Sequence, residues 1–577
     1  MQLVRRYRLP ALFCALAVLL CDLVSRPYAN MGICDDGPYI LMAQHLARTG
    51  HIAYNGWSAA MMGWQLYLGA AFIRLFGFSF TAVRMSTLLV ALLTAWLLQR
   101  TLVLAGVNER NAVLGTLAFV LSPLYLMLSV TYMSDIDGLL AVVACLYGCL
   151  RALQARKDRA AIFWLGFAVA TNAVFGTARQ IAWLGILVML PSALYLLRKR
   201  WRVLPAGAAV TLAGALSIFA CMQWFSRQPY IQPEHLIPND FPVLKMLAEL
   251  GSTFLEMPFL LLPVAAIFLP QMRRCGPRVR WASLALLLGY LWIARHPRPL
   301  HHVSFLEPTN GDWVSIFGIH SLLGLQGDTP VYLHPAMRMV LTAVSFGGLF
   351  GVVATGFCRH SDRADAGPEP PVSWRQLGVL LTPFVLVYWL LLIPRSTIWL
   401  FDRYLLPLLV VALLCLVRLY QERVRGRIPL PGALLVAGMA IYAVAVTGNM
   451  FSFYRARTVL AAELRARDIP DTSVDNGWEY NFNVEIQQAD HLNDKRVVIP
   501  ADAYLPVPKP PAGSCAMYLY DETPHIHPLY GVSFDPGACY GPAPFAPVHF
   551  SRWPYRTPGT LYVVRYVPAA ELPPGMP

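Results

Sequence analysis

Charge is what this 577-residue chain has least of: Asp, Glu, Lys and Arg make up 14% of it, against 57% hydrophobic residues. With a mean hydropathy of +0.50, this excludes an ordinary soluble domain, where about a quarter of residues are charged. The chain reads as an integral membrane protein. Metal-ligand patterns are missing as well. Of 11 cysteines, most (Cys14, Cys21, Cys145, Cys149, Cys221, Cys415) lie inside apolar stretches where a small apolar residue suffices, and none has CxxC spacing. No internal repeat is visible in the apolar part, which argues against the repeated halves of many transporters. No small-x-small cleavage site follows the first apolar run after RRYR, so that run reads as a retained helix and not a signal peptide. The net charge of +14 is not read as a nucleic-acid footprint, because basic residues in such a protein mostly record orientation.

About 20 apolar residues are needed to cross a bilayer as a helix. On that measure, spans are expected near 9–25, 80–104, 111–130, 136–153, 160–176, 180–197, 203–225, 252–270, 281–294, 335–357, 376–394, 403–421 and 431–451, about thirteen in all. Arg and Lys clusters fall in alternate connections, such as Arg198, Lys199, Arg200 and Arg202, or Arg423, Arg425 and Arg427. That alternation predicts an N-terminus inside and a C-terminus outside. Residues 1–451 are expected to form the membrane domain. Residues 452–577 are expected to form a small outer α/β or mainly β domain: a helix near 455–467 and strand-like runs at 496–500, 515–521 and 560–567. Cys515 and Cys539 lie in that domain, where a disulfide is plausible.

The first outer loop carries the adjacent acids Asp35 and Asp36, followed by a short surface helix from Pro38 to Arg48. The bland reading is that one of them caps the helix, Asp36 more readily than Asp35. A second surface helix is expected within 51–79. The next outer turn, Thr131 to Gly138, holds Asp135 and Asp137. Asp135 suits a cap or a site. Asp137 falls just inside the membrane boundary, where an acid needs a partner or a function. Arg179 sits in a break between two spans and needs an anion: a lipid headgroup, a protein carboxylate or a substrate phosphate. In the longest outer loop, 295–334, Arg295 and Arg298 are candidate phosphate ligands, while the proline-broken HPRPLHH matches no standard metal pattern. Asp402 and Arg403 can simply neutralise each other at the interface, and Arg403 is also counted among the outer-face cations. Gathered on one membrane face, these groups suit transfer from a lipid phosphate: carboxylates to take a proton from a hydroxyl, arginines to hold a phosphate leaving group.

The layout resembles the GT-C glycosyltransferases, in particular the bacterial group related to protein O-mannosyltransferases and lipid A aminoarabinose transferases. The resemblance rests on Cys34-Asp35-Asp36-Gly37-Pro38-Tyr39, Leu75-Phe76-Gly77 with Ala82-Val83-Arg84, Tyr132-Met133-Ser134-Asp135, Ala178-Arg179-Gln180, and Arg403-Tyr404 with Pro407. It implies an all-α polytopic fold and an inverting transfer of a hexosyl or pentosyl group from a polyprenyl-phosphate donor to a hydroxyl acceptor, at the outer face of a bacterial inner membrane. In that reading Asp35 is the base, Asp36 and Asp135 organise the site or a cation, and Arg179, Arg403 with Tyr404, and Arg298 steady the phosphate. Two departures stand out: an Asp at 36 where the mannosyltransferases have Glu, which leaves open which acid is the base, and Asp137 in place of a usual proline. A divalent metal is not required by the sequence, and neither sugar nor acceptor is named by it. The competing reading is a lipid or glycolipid flippase without transferase activity.

Overall fold

The computed structural model describes residues 9–576 apart from 234–240, 289–323, 329–333, 358–370, 397–399, 498–502, 511–514 and the single positions 275, 279, 283, 286, 287 and 425. The protein is mostly helical, with a small four-stranded mixed sheet near the C-terminus. Among the described residues, seven helices are long and apolar enough to cross a membrane: Phe80–Leu104, Asp135–Gln154, Val203–Phe225, Met339–Gly356, Trp374–Arg395, Asp402–Arg423 and Leu430–Arg465. It is a multi-pass membrane protein.

The difference from thirteen lies in how the remaining apolar segments are built. The expected 111–130 span is two helices, Glu109–Val120 and Pro123–Ser129, bent by 69° at a break where Ser122 caps the second and Pro123 opens it. The expected 252–270 span comes as Val243–Leu260, Leu262–Ala266 and a 3-10 turn at Leu269–Arg274. Pro258, Pro263 and Pro270 remove the N–H groups that a continuous helix would need. The 281–294 span falls partly outside the described residues. Leu9–Ser25 is a 17-residue helix and Gln180–Leu196 passes through 3-10 and π turns, so both are short apolar elements, and the expected 160–176 span is the 18-residue helix Asp158–Phe175, which is not among the seven. Backbone groups freed by that irregularity are met by one amide: Asn172 Nδ2 donates to Ala141 O and Ala182 O, and its Oδ1 accepts from Ile186 N.

Both surface helices are present, at Asp36–Thr49 and Gly63–Phe76. Leu430–Arg465 does not stop at 451: it continues for 36 residues, so the helix expected near 455–467 is its distal half, and the expected domain boundary lies inside one rod. At about 1.5 Å per residue it is roughly 54 Å long, well beyond a hydrocarbon core of about 30 Å. Beyond it lie β1 (Val474–Asp475), the helix Trp478–Ala489, β2 (Tyr530–Ser533), β3 (Val548–Phe550) and β4 (Gly559–Arg565). The sheet order is β1-β2-β4-β3, with β1 and β2 parallel and the other pairs antiparallel. The 560–567 run is β4. Of the 515–521 run no strand forms, and its end enters a 3-10 turn at Tyr520–Glu522. The 496–500 run lies mostly outside the described residues. Cys515 and Cys539 form a disulfide.

Candidate active site

The acid loop is held in place by Asp36. Its carboxylate takes a two-pronged contact from Arg84, Nε to Oδ2 at 2.7 Å and Nη2 to Oδ1 at 3.0 Å, and both side chains are fully buried. Asp36 also accepts from Ile33 N at 2.7 Å and Tyr132 N at 3.2 Å, while Arg84 donates to Ala29 O and Met31 O. One buried ion pair thus fastens the loop to the Phe80–Leu104 helix and to the turn before Asp135. Neither acid caps the Asp36–Thr49 helix: Asp35 stands at the N-cap position and makes no side-chain cap bond.

Asp35 faces the opposite way. Its carboxylate is 16% exposed and pairs with Arg403 Nη1 at 3.1 Å. Asp402 Oδ1 accepts the Arg403 backbone N–H at 2.6 Å. Asp135 is at the first helical position after Ser134, with its side chain fully buried and 2.9 Å from Arg179 Nη1. This contact lacks hydrogen-bond geometry. Arg179 therefore finds a protein carboxylate, and Ser134 Oγ lies 3.4 Å from the same nitrogen. Gly138 makes room for it: a Cβ there would stand 2.8 Å from Arg179 Cβ.

The two pairs meet at Tyr404. Its ring has Arg179 at 4.8 Å, Arg395 at 5.7 Å and Arg403 at 5.8 Å, distances at which a guanidinium is drawn to the π face. Arg395 Nη2 donates to the Tyr404 hydroxyl at 3.2 Å, and Tyr388 donates to the Tyr404 carbonyl at 2.7 Å. Tyr39 belongs here too. It lies one helical turn after Asp35, and burial pushes its phenol well above the ordinary value, with Asp35 acting in the same sense and Arg403 against it.

Asp35, Asp135, Arg179, Arg403 and Tyr404 are thus brought together, and Asp36 stands behind them as a fully engaged support. Arg298, like Arg295, lies outside the described residues. Asp137 is buried, and neither of its oxygens has a hydrogen bond among the described residues. Sequence reasoning passed over Arg84, Arg395 and Tyr39 as site residues. Arg84 and Tyr39 were visible only as members of short motifs, and Arg395 only as a cation at a span end. Among the described residues, no group of three or more His, Cys, Asp or Glu side chains is suited to a metal ion.

The C-terminal domain reaches this loop directly. Asn483, on Trp478–Ala489, is buried against two glycines: Cβ atoms at Gly37 and Gly32 would stand 2.7 Å from its Oδ1 and 3.1 Å from its Nδ2. The same helix is tied to the long rod by Glu479, which accepts from Tyr454 at 2.6 Å and Arg457 at 3.1 Å, all three buried.

No protein-family model matches the chain, and no curated protein matches it. Among solved structures it is similar to ArnT from Cupriavidus metallidurans in the apo state, at 18% identity over 78% of each chain with a TM-score of 0.37. It is also similar to ArnT from the same organism bound to undecaprenyl phosphate, at 15% identity over 97% of this chain and 98% of that one, TM-score 0.39. The third is the archaeal oligosaccharyltransferase AglB from Archaeoglobus fulgidus, in complex with an inhibitory peptide and a dolichol-phosphate. Identity there is 12% over 77% of this chain and 56% of that one, TM-score 0.36. Likenesses of this degree carry no weight for the chemistry, which rests on the side chains above.

Proposed function

We propose that the protein is an inverting glycosyltransferase that moves a hexosyl or pentosyl group from a polyprenyl-phosphate donor to a hydroxyl acceptor, at the membrane face that carries the C-terminal domain. The observation that carries this reading is the convergence on Tyr404 of two carboxylate–guanidinium pairs, Asp35–Arg403 and Asp135–Arg179, with Arg395 beside them. Carboxylates can take a proton, and planar guanidinium forks match phosphate oxygens.

Asp35 is the base in this reading. It is the partly exposed acid, whereas both oxygens of Asp36 are engaged by Arg84 and two backbone N–H groups. The acceptor O–H gives its proton to Asp35, and the oxygen forms a bond to the anomeric carbon. The carbon–oxygen bond to phosphate breaks, and polyprenyl phosphate leaves with the electron pair. Arg403 and Arg179 stabilise the charge that develops on the leaving oxygen. In this reading the site faces the periplasm of a bacterial inner membrane, on the side opposite the Arg- and Lys-rich connections. The test is transfer of labelled sugar from a panel of polyprenyl-phosphate sugars, in membranes carrying wild type or Asp35→Asn. The expected result is a wild-type product that falls by at least about 100-fold in the variant, the contribution of a positioned base. Equal activity in both would remove the base assignment. A wild type that moves a polyprenyl lipid between leaflets and transfers no sugar would favour the flippase.

A further inference from the structure

Each of the two arginines assigned above to the phosphate is paired with a carboxylate. Asp35 lies 3.1 Å from Arg403 Nη1 and Asp135 lies 2.9 Å from Arg179 Nη1. These pairs are largely covered: the side chains of Arg403 and Asp35 are 8% and 16% exposed, Asp135 is fully buried and Arg179 is 22% exposed. An anion joining them as a third member would stand against a carboxylate in a confined, poorly hydrated space, where like charges repel strongly. The acid assigned as base is also the one directed at Arg403, which engages one of its two oxygens, Oδ2.

Resting on the donor reading above, we propose that Asp35 and Asp135, through their pairs with Arg403 and Arg179, hold the seat of the donor phosphate and are displaced from it by the donor. The phosphate takes over Arg403 and Arg179. Asp35 is then uncovered as a base only in the donor-bound protein, and Asp135 acts as a positioning residue that keeps Arg179 folded over Tyr404 until the donor comes. The exchange makes and breaks ion pairs and no covalent bond. Donor therefore binds before acceptor, because the acceptor's base is made available by the donor. A phosphodiester donor brings one negative charge and the polyprenyl phosphate product brings more, so the product competes for both arginines more strongly than the donor does.

The opposite arrangement is that each acid orients its arginine toward a bound phosphate, as a carboxylate orients a ligating histidine. The two predict opposite signs. The probe is a polyprenyl phosphate in detergent, its affinity measured for purified wild type, Asp35→Asn and Asp135→Asn, each checked for a wild-type thermal midpoint. If the acids hold the seat, both variants bind the lipid phosphate tighter, by about tenfold, while Asp35→Asn loses transfer. Unchanged or weaker binding by folded variants overturns the proposal. In a parallel kinetic measurement, wild type should show ordered addition, with donor first; random addition also overturns it. A wild type that binds no polyprenyl phosphate sinks the donor assignment itself, a result distinct from either sign of the variants.

Discussion

Asp35 and Asp36 are neighbours in the chain, yet their surroundings give them different tasks. The backbone turn at Cys34, with φ of +55°, directs the loop so that Asp36 points inward to Arg84 while Asp35 meets Arg403 across the site. The acidic pair and its place after the first apolar run were legible in the sequence. Which acid faces substrate was not, because that is set by partners 48 and 368 residues away. Removing one partner of a buried pair leaves the other charge uncompensated. Arg84→Met is therefore expected to destabilise the protein by about 3–5 kcal/mol, read as a lowered thermal midpoint, with transfer falling in step. A variant that keeps wild-type stability would show that Asp36 finds another donor.

At the scale of elements, the apolar helices followed from length and composition. Phe80–Leu104 has the bounds expected, since Ser79 caps its start by accepting from Ala82 N and no proline interrupts it. The Trp478–Ala489 helix was not legible. Its sequence WEYNFNVEIQQA is rich in Asn and aromatic residues, which favour other conformations, and its helicity comes from burial against the acid loop and the rod. The continuous Leu430–Arg465 rod was missed for a related reason: its composition turns polar after residue 451 while its backbone continues unbroken. The rod and this helix together bring Asn483 to Gly37. One alanine inserted after Phe451 would turn everything beyond it by about 100°, separating Asn449 from Ser551 and Trp553 and Asn483 from Gly32 and Gly37. The expected outcome is a loss of transfer of more than about 100-fold, with the domain newly open to limited proteolysis. An insertion tolerated in both measurements would mean that the domain is not seated through the rod.

For the whole molecule, the two halves differ in how acids are accommodated. In the C-terminal domain Glu522 is buried and pushed up to about 8, first by desolvation and then by Asp494, with Arg496 opposing. Its folded form thus holds a proton that the unfolded chain has lost above about pH 4.5. Stability from this group is full below that pH and declines as pH rises toward 8. Stability should be greater at pH 5.5 than at pH 8.5 by an amount on the order of 2–4 kcal/mol, read as a higher thermal midpoint at pH 5.5. Glu522→Gln should flatten that dependence; an unchanged profile would assign it to other groups. The membrane half was readable because lipid demands apolar length, whereas the span count was not, because helices packed among neighbours tolerate breaks at prolines and 3-10 turns.

The rod that joins the halves also makes membrane thickness part of the site. A bilayer thinner or thicker than the rod's apolar length is met in part by tilt. On a lever of roughly 54 Å, a tilt of about 5° carries the far end sideways by roughly 5 Å. The packing of Asn483 on the acid loop is set on a finer scale, since a single Cβ added at Gly37 would stand 2.7 Å from its Oδ1. Transfer is therefore expected to vary with acyl-chain length when the protein is reconstituted in lipids of one headgroup, and equal activity across chain lengths would show that the rod does not relay bilayer thickness to the site.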